Sequence, residues 1–191
     1  MDLPTVAASL SLGLGLAAAC GFRVFIPPLM MGVASRAGYY ELEGSYTWVS
    51  EDWAIAVFAL ATLLELGAYY VPWIDNLLDV VATPSAILAG IFVTSASLEG
   101  MDSSLQWFLA IIAGGGVAGT IQLGTVATRV ISTTTTGGLA NPIVSTLEAI
   151  ACVVCVILSL FLAVIIPIVI IFLVWKATTY ILKRDKTDHS N

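Results

Sequence analysis

Six ionisable residues stand inside or at the ends of long apolar runs: Arg23, Glu65, Asp75, Asp79, Arg129 and Glu148. A charge near the centre of a bilayer costs roughly 2.5–3.5 kcal/mol even on insertion scales, so each is expected to face a protein interior and find a partner. Arg23 and Arg129 are the expected counter-charges for the acids. Two cations and four anions cannot pair one to one. At least one carboxylate should therefore carry a proton, meet water or hold a cation, which is the chemistry of an ion, proton or polar-solute path. Asp75 and Asp79 are four apart, so a helix points both to one face, where they could address one cation or one arginine. The plainer reading is a set of interhelical ion pairs, with some acids at the wet ends of helices.

Catalysis is not expected. The single histidine, His189, lies in the polar tail, and no nucleophile with a base beside it can be read from the spacing. Cys152 and Cys155 form a C-x-x-C, but in an apolar stretch with no histidine or third cysteine nearby they read as packing, as does Cys20. No metal or other cofactor is implied.

The elements that must position these residues are set by composition. The 191 residues are 59% hydrophobic and only 10% charged, against roughly 25% charged in an ordinary soluble domain. With a mean hydropathy of +0.98, such a chain cannot cover its surface with polar groups. It is read as an all-α integral membrane protein with the bilayer as its main partner, a bundle of about six transmembrane helices. Residues 1–182 form one helical domain and 183–191 a polar cytoplasmic tail. The net charge of −6 comes from acids in short connecting segments, so nucleic acid is not an expected partner.

The first apolar run, Thr5 to Gly38, is too long for one span and is interrupted by Arg23, Pro27 and Pro28. It is read as a broken helix with arms Thr5–Phe22 and Leu29–Ala37. It starts with an acid where a secretory leader would carry Lys or Arg, so it is expected to be retained. Further spans are expected over Trp53–Val71, Leu77–Leu98 around Pro84, and Leu105–Ile131. Ile143–Leu182 holds one breaker, Pro167, and is read as two spans joined by a tight turn, with one long kinked helix as the alternative.

Lys183, Arg184 and Lys186 put the tail on the cytoplasmic side, and six spans put the N-terminus there too. The acidic segments Glu41–Asp52 and Glu99–Asp102 are then expected outside, although Arg36 falls on the wrong side for this arrangement. Tyr39, Tyr40, Tyr46, Trp48 and Trp53, with Tyr69, Tyr70 and Trp73, read as interfacial anchors.

Three local patterns complete the reading. Glu65 and Glu148 lie in the similar contexts TLLELGA and TLEAIA, each followed by a proline nineteen positions later, a basis for an inverted repeat of two three-span halves. The segment TTTTGGLANPIVS, with Thr136, Gly137, Gly138 and Asn141, reads as a polar loop in which Asn141 caps the next helix and Pro142 opens it. Such a loop can also receive an anion or a carbonyl. Gly115 and Gly119, four apart, allow close helix approach within the chain or between subunits. The small bundle is expected to form a homo-oligomer.

The runs GLAAACGFRVFIPPLMMG, ELGAYYVPWIDNLLDVVATP, AGGGVAG and TTGGLANPIVSTLE occur in this order over most of the chain. Together they resemble the bacterial membrane proteins grouped as domain of unknown function 4126. The resemblance implies a multi-pass protein of a bacterial-type cytoplasmic membrane and no particular activity. Many members carry an Asp-Lys pair near Ala68–Tyr70 and an Arg just after the Thr-Pro pair; this chain has Tyr69, Tyr70 and Ser85 there. Fewer basic groups then face Glu65, Asp75 and Asp79, which weakens an ion-pair-only account. Two functions are expected from these observations. One is a small transporter or channel for a proton, cation or small polar solute. The other is a non-transporting scaffold, assembly or lipid-binding component of a larger membrane complex.

Overall fold

The computed structural model describes residues 3–39, 41–68 and 72–188; the side chains of 72–79 and of many positions beyond 163 lie outside the description. The described chain is all helix: α1 (Leu3–Cys20), α2 (Ile26–Arg36), a 3₁₀ segment (Gly44–Ser50), α3 (Asp52–Ala68), α4 (Pro72–Ser97), α5 (Ser103–Leu109), a π-helical stretch (Ala110–Gly115), α6 (Gly116–Thr136) and α7 (Asn141–Asp188). Among the described residues, four stretches are long and apolar enough to cross a membrane: Leu3–Cys20, Val80–Ser97, the continuous helix Ser103–Thr136, and Asn141–Ala163. In lipid only helices satisfy every backbone polar group internally, which is why an apolar chain of this kind takes this form.

The break after α1 reverses the chain. α1 runs antiparallel to α7: Gly15 abuts Ser159, Cys152 Sγ donates to the Ala19 carbonyl at 3.3 Å, and Arg23 reaches Ser145. α2 then climbs back. Its start lies by Glu65 near the end of α3, while Gly32 faces Val49 and Ile55 and Ala34 shares a cleft with Ile157 and Phe161. The two arms expected of a broken helix are therefore a hairpin whose tip is 21–25. Gly21 makes the tip possible, because a Cβ there would sit 2.5 Å from Ile121 and 2.7 Å from the Ala118 carbonyl.

Gly13 is level with Thr94 and Ser97 of α4, and Thr94 Oγ1 donates to the Gly13 carbonyl at 3.1 Å. The tip is therefore ten residues, or about 15 Å at helical rise, below the end of α4. The acidic 3₁₀ region belongs to that same upper end: the Ser45 N–H donates to Glu99, and Arg36 pairs with Asp52. α1 starts from this end and α7 runs toward it. The expected placement of Glu41–Asp52 and Glu99–Ser104 opposite both termini is thus corrected, and Arg36 ceases to be anomalous.

Two other expectations change. Asn141–Asp188 is one helix of 48 residues through Pro167, about 72 Å long and more than twice the hydrocarbon core, in place of two spans. Glu65 to Pro84 crosses the α3–α4 junction whereas Glu148 to Pro167 lies within α7. The matching intervals are not structurally equivalent, which removes the ground for the repeat.

α4 packs closely on the π-helical stretch and on α6. Gly90 and Gly114 approach so closely that a Cβ on either would lie within 2.8 Å of the other's carbonyl oxygen, and the π-helical stretch falls here. Gly115 and Gly119 face Ile91 and Ile87 of α4. The glycine pair read as a helix-packing face is therefore used inside the protomer. Of the aromatic residues of the first connection, Tyr46 and Trp48 turn inward while Tyr39 and Trp53 stay exposed: Trp48 stacks on Trp53 at 5.5 Å and lies 5.9 Å from Phe92, and the Tyr46 hydroxyl meets Ser95 Oγ at 2.7 Å. Tyr40, Tyr69 and Tyr70, and the side chain of Trp73, lie outside the described residues.

A buried charge cluster at the helix break

Arg23 occupies the hairpin tip and is fully buried. One guanidinium nitrogen donates to the Ser145 carbonyl and hydroxyl, both at 2.6 Å, and lies 3.4 Å from Glu148 Oε2. Arg129, from α6, donates through Nε to Glu148 Oε1 at 3.3 Å and through a terminal nitrogen to Oε2. This fork is the geometry in which arginine holds a carboxylate most strongly. Glu148 is thus clamped between two guanidinium groups from different segments.

Glu65 is bound differently. α2 has Pro27 and Pro28 in its first turn, which lack N–H groups. Two N–H groups at the entrance are met by Glu65: Val24 donates to Oε1 at 2.8 Å and Phe25 to Oε2 at 3.2 Å. A carboxylate here also suits the positive end of the α2 dipole. Arg23 and Arg129 are near enough to interact electrostatically with Glu65 as well. The described cluster holds two guanidinium groups and two carboxyl groups from the tip, α3, α6 and α7. All four are at most 9% exposed.

The expected surplus of acid is therefore not seen among the described side chains. Glu65, Glu148, Arg23 and Arg129 come together as a balanced set. Asp75 and Asp79 are on α4, but their side chains lie outside the described residues. Sequence reasoning missed Ser145. Its spacing of three from Glu148 puts both on one face of α7, and that signal was available. It also missed the backbone N–H groups of the tip, which no residue type announces.

The cluster reaches two clefts. One, of about 470 Å³ between α6 and α7, is lined by Phe22, Thr120, Thr125, Thr128, Leu147 and Glu148. The other, of about 410 Å³ between α3 and α4, is lined by Val24, Phe25, Glu65, Ala82 and Ser85. It continues into an apolar groove past Pro28, Trp48, Phe58, Leu88 and Phe92. The tip forms a wall of both clefts and sits between them.

The polar segment expected to be a loop is mostly helix. α6 runs to Thr136 and ends on Gly137, which is left-handed with φ 64°; Gly138 follows at φ 87°. Thr136 donates to the Ser132 carbonyl and accepts from the Ala140 N–H at 3.2 Å. Asn141 is already the first residue of α7, and its amide donates to Thr133 Oγ1 at 3.1 Å. It ties α7 to α6 in place of the cap expected of it. Cys20, Cys152 and Cys155 are free thiols.

An all-helical membrane bundle with a folded-back first helix and a buried arginine–glutamate cluster is the class these features define. The chain belongs to the family described as domain of unknown function (DUF4126), which it matches over residues 10–183. No curated protein and no solved structure matches it.

Proposed function

We propose that this protein is a small transporter or channel of a bacterial-type cytoplasmic membrane, moving a proton, cation or small polar solute past the α1–α2 tip. In this reading α3, α4, α5–α6 and α7 cross the bilayer, while α1–α2 enters from one side as a re-entrant hairpin. The observation that carries the proposal is that the tip separates two clefts, each of which reaches one buried carboxyl group, Glu148 or Glu65. Irregular backbone at membrane depth is tolerated where it is buried in protein or lines a cavity, and discontinuous helices of this kind build substrate sites in transporters. A bundle needing only cohesion could replace these four charges by leucine and avoid their desolvation.

Because both carboxyl groups are already balanced by fixed cations and N–H groups, an added metal cation is not required at the tip. Proton uptake coupled to a polar solute fits the balance better. Proteoliposomes assayed for proton and monovalent-ion flux test this. Glu65→Gln and Glu148→Gln proteins that remain folded but lose pH-dependent flux support it. No flux above empty vesicles across the panel would move the assignment to the second reading.

That second reading is a non-transporting, lipid-binding scaffold. It is favoured by the apolar groove between α3 and α4, floored by Pro28 and flanked by Trp48, Phe58 and Phe92. Self-association remains part of either proposal, on a face other than Gly115 and Gly119.

A further inference from the structure

The cleft of about 470 Å³ between α6 and α7 presents the side chains of Thr120, Thr125 and Thr128 from one wall and of Glu148 from the other. Each threonine hydroxyl has already given its proton to a carbonyl one turn back: Thr120 to Gly116 at 2.8 Å, Thr125 to Gln122 at 2.9 Å and Thr128 to Gly124 at 2.9 Å. A hydroxyl that has donated keeps its lone pairs, so the three oxygens offer the cleft acceptors only. An ionised carboxylate is acceptor-only as well. The two arginines that hold Glu148 are not among the residues lining the cleft. Back-bonded threonines need no ligand on their own account; what sets these apart is that they share a cleft with a carboxylate only 6% exposed. Apolar walls carrying a few convergent polar groups are the usual form of a small-molecule site.

The charge balance narrows the guest. Glu148 is paired with Arg129 and Arg23, and Glu65 completes the balance of the cluster. A cationic guest would leave the local sum at plus one. An anionic guest would lie against a carboxylate and three hydroxyl oxygens, with no side-chain donor to receive it. A neutral guest with N–H or O–H groups incurs neither cost, and its carbon body can lie on Phe22 and Leu147. Gly124 stands between the threonines, and a Cβ built there meets nothing within 4 Å, so the cleft is open at its centre.

We infer that the α6–α7 cleft is a binding site for an uncharged solute that carries an N–H or O–H donor head on a short apolar body, the head bonding to Glu148 and the threonine oxygens. This rests on the transporter reading and gives it a substrate class.

Saturation-transfer NMR on the full chain in deuterated detergent reads binding without requiring transport, with butyramide, N,N-dimethylbutyramide, butylammonium and butyrate as probes. Butyramide should be saturated most. Its dimethyl analogue, which keeps the carbonyl and loses both N–H groups, and the two ions should bind at least fivefold more weakly. Gly124→Leu, which fills the open centre of the cleft, should abolish the butyramide signal while leaving thermal unfolding close to wild type. Thr120→Val and Thr128→Val keep the side-chain size and remove one acceptor each, so each should weaken butyramide by roughly fivefold, the loss of one net hydrogen bond. These two variants carry the test if Gly124→Leu fails to fold. Equal binding of the dimethyl analogue, preference for butylammonium, or a butyramide signal undiminished by all three substitutions overturns the site. Butyramide binding without flux in proteoliposomes upholds the site and sinks the transporter reading. Proton or cation flux with no butyramide binding overturns the site and leaves transport standing.

Discussion

Arg23 and Glu148 are 125 positions apart in the chain and meet at 3.4 Å, and this contact fixes where the α1–α2 hairpin ends. A guanidinium cannot be left in the interior without an acceptor, so the tip must stop where α7 offers Ser145 and Glu148. The same carboxylate holds Arg129 on α6. One glutamate thus ties the α1–α2 hairpin to the two helices that flank its cleft. The backbone at the break is served from the other side by Glu65, so the discontinuity is supported by charge on one face and by capping on the other.

Glu148→Gln should be the more damaging of the two glutamine substitutions. It leaves one acceptor oxygen where there were two and removes the charge that both guanidinium groups share, leaving buried cations under-compensated. The expected loss is about 3–5 kcal/mol, as for breaking a buried ion pair from one side. Chemical denaturation of the protein in detergent micelles measures it, and a loss no larger than that of Glu65→Gln would show that the clamp contributes little.

Glu65→Gln and Glu65→Leu should differ clearly in stability. The amide oxygen of glutamine can still accept from Val24 or Phe25, whereas leucine leaves both N–H groups buried without a partner, at about 1–3 kcal/mol each. Hydrogen exchange at residues 24 and 25 gives the local readout. Exchange should rise strongly in the leucine variant and modestly in the glutamine variant.

The helical class and the break were legible because apolar length and breakers are local properties: Arg23, Pro27 and Pro28 marked the break, and Pro84 fell inside a helix as expected. The four charged residues of the cluster were legible for the same reason, since a charge in an apolar run must find company. The direction taken after the break was not. A bent helix and a hairpin have the same pattern of residues, and only the contacts of Gly32 with Val49 and of Arg23 with Ser145 distinguish them. Pro167 misled in the opposite sense: a proline removes one hydrogen bond of a helix, and the rest of the turn can continue around it in an apolar setting. The threonine run at 133–136 read as loop because its hydroxyls were taken as competitors for the backbone; they bond instead to carbonyls one turn back, as Thr135 does to Ile131.

Glycine substitutions along the π-helical stretch and α6 should separate internal packing from assembly. Gly114→Ala places a Cβ against Thr94 and the Gly90 backbone and should lower stability by about 1–3 kcal/mol, the usual cost of overpacking. Gly119→Leu should likewise destabilise the protomer, because its Cβ already meets Ile87 at 3.1 Å. Gly124→Ala, which faces open space, should be neutral or slightly stabilising through helix propensity. Thermal unfolding with size-exclusion chromatography reads both effects. A Gly119→Leu protein of unchanged stability but altered oligomeric mass would restore this glycine to a subunit interface.

Topology offers the most direct test of the fold-back. If α1–α2 is a hairpin, single cysteines at Leu3 and Thr47 must label from the same side, because α1 starts from the end at which the 3₁₀ segment meets Glu99. A cysteine at Lys176 should label from that side too if it labels at all, since α7 runs toward it. A cysteine at Gly138, in the short turn between α6 and α7, should label only from the opposite side. The experiment uses a background with Cys20, Cys152 and Cys155 replaced by alanine, which the burial of Cys20 and Cys152 makes a destabilising but informative starting point. Impermeant maleimide applied to intact cells and to inverted vesicles gives the two sides. Labelling of the Leu3 and Gly138 positions from one side, with Thr47 on the other, would mean that α1–α2 crosses the membrane, and the tip at Arg23 could not then be re-entrant.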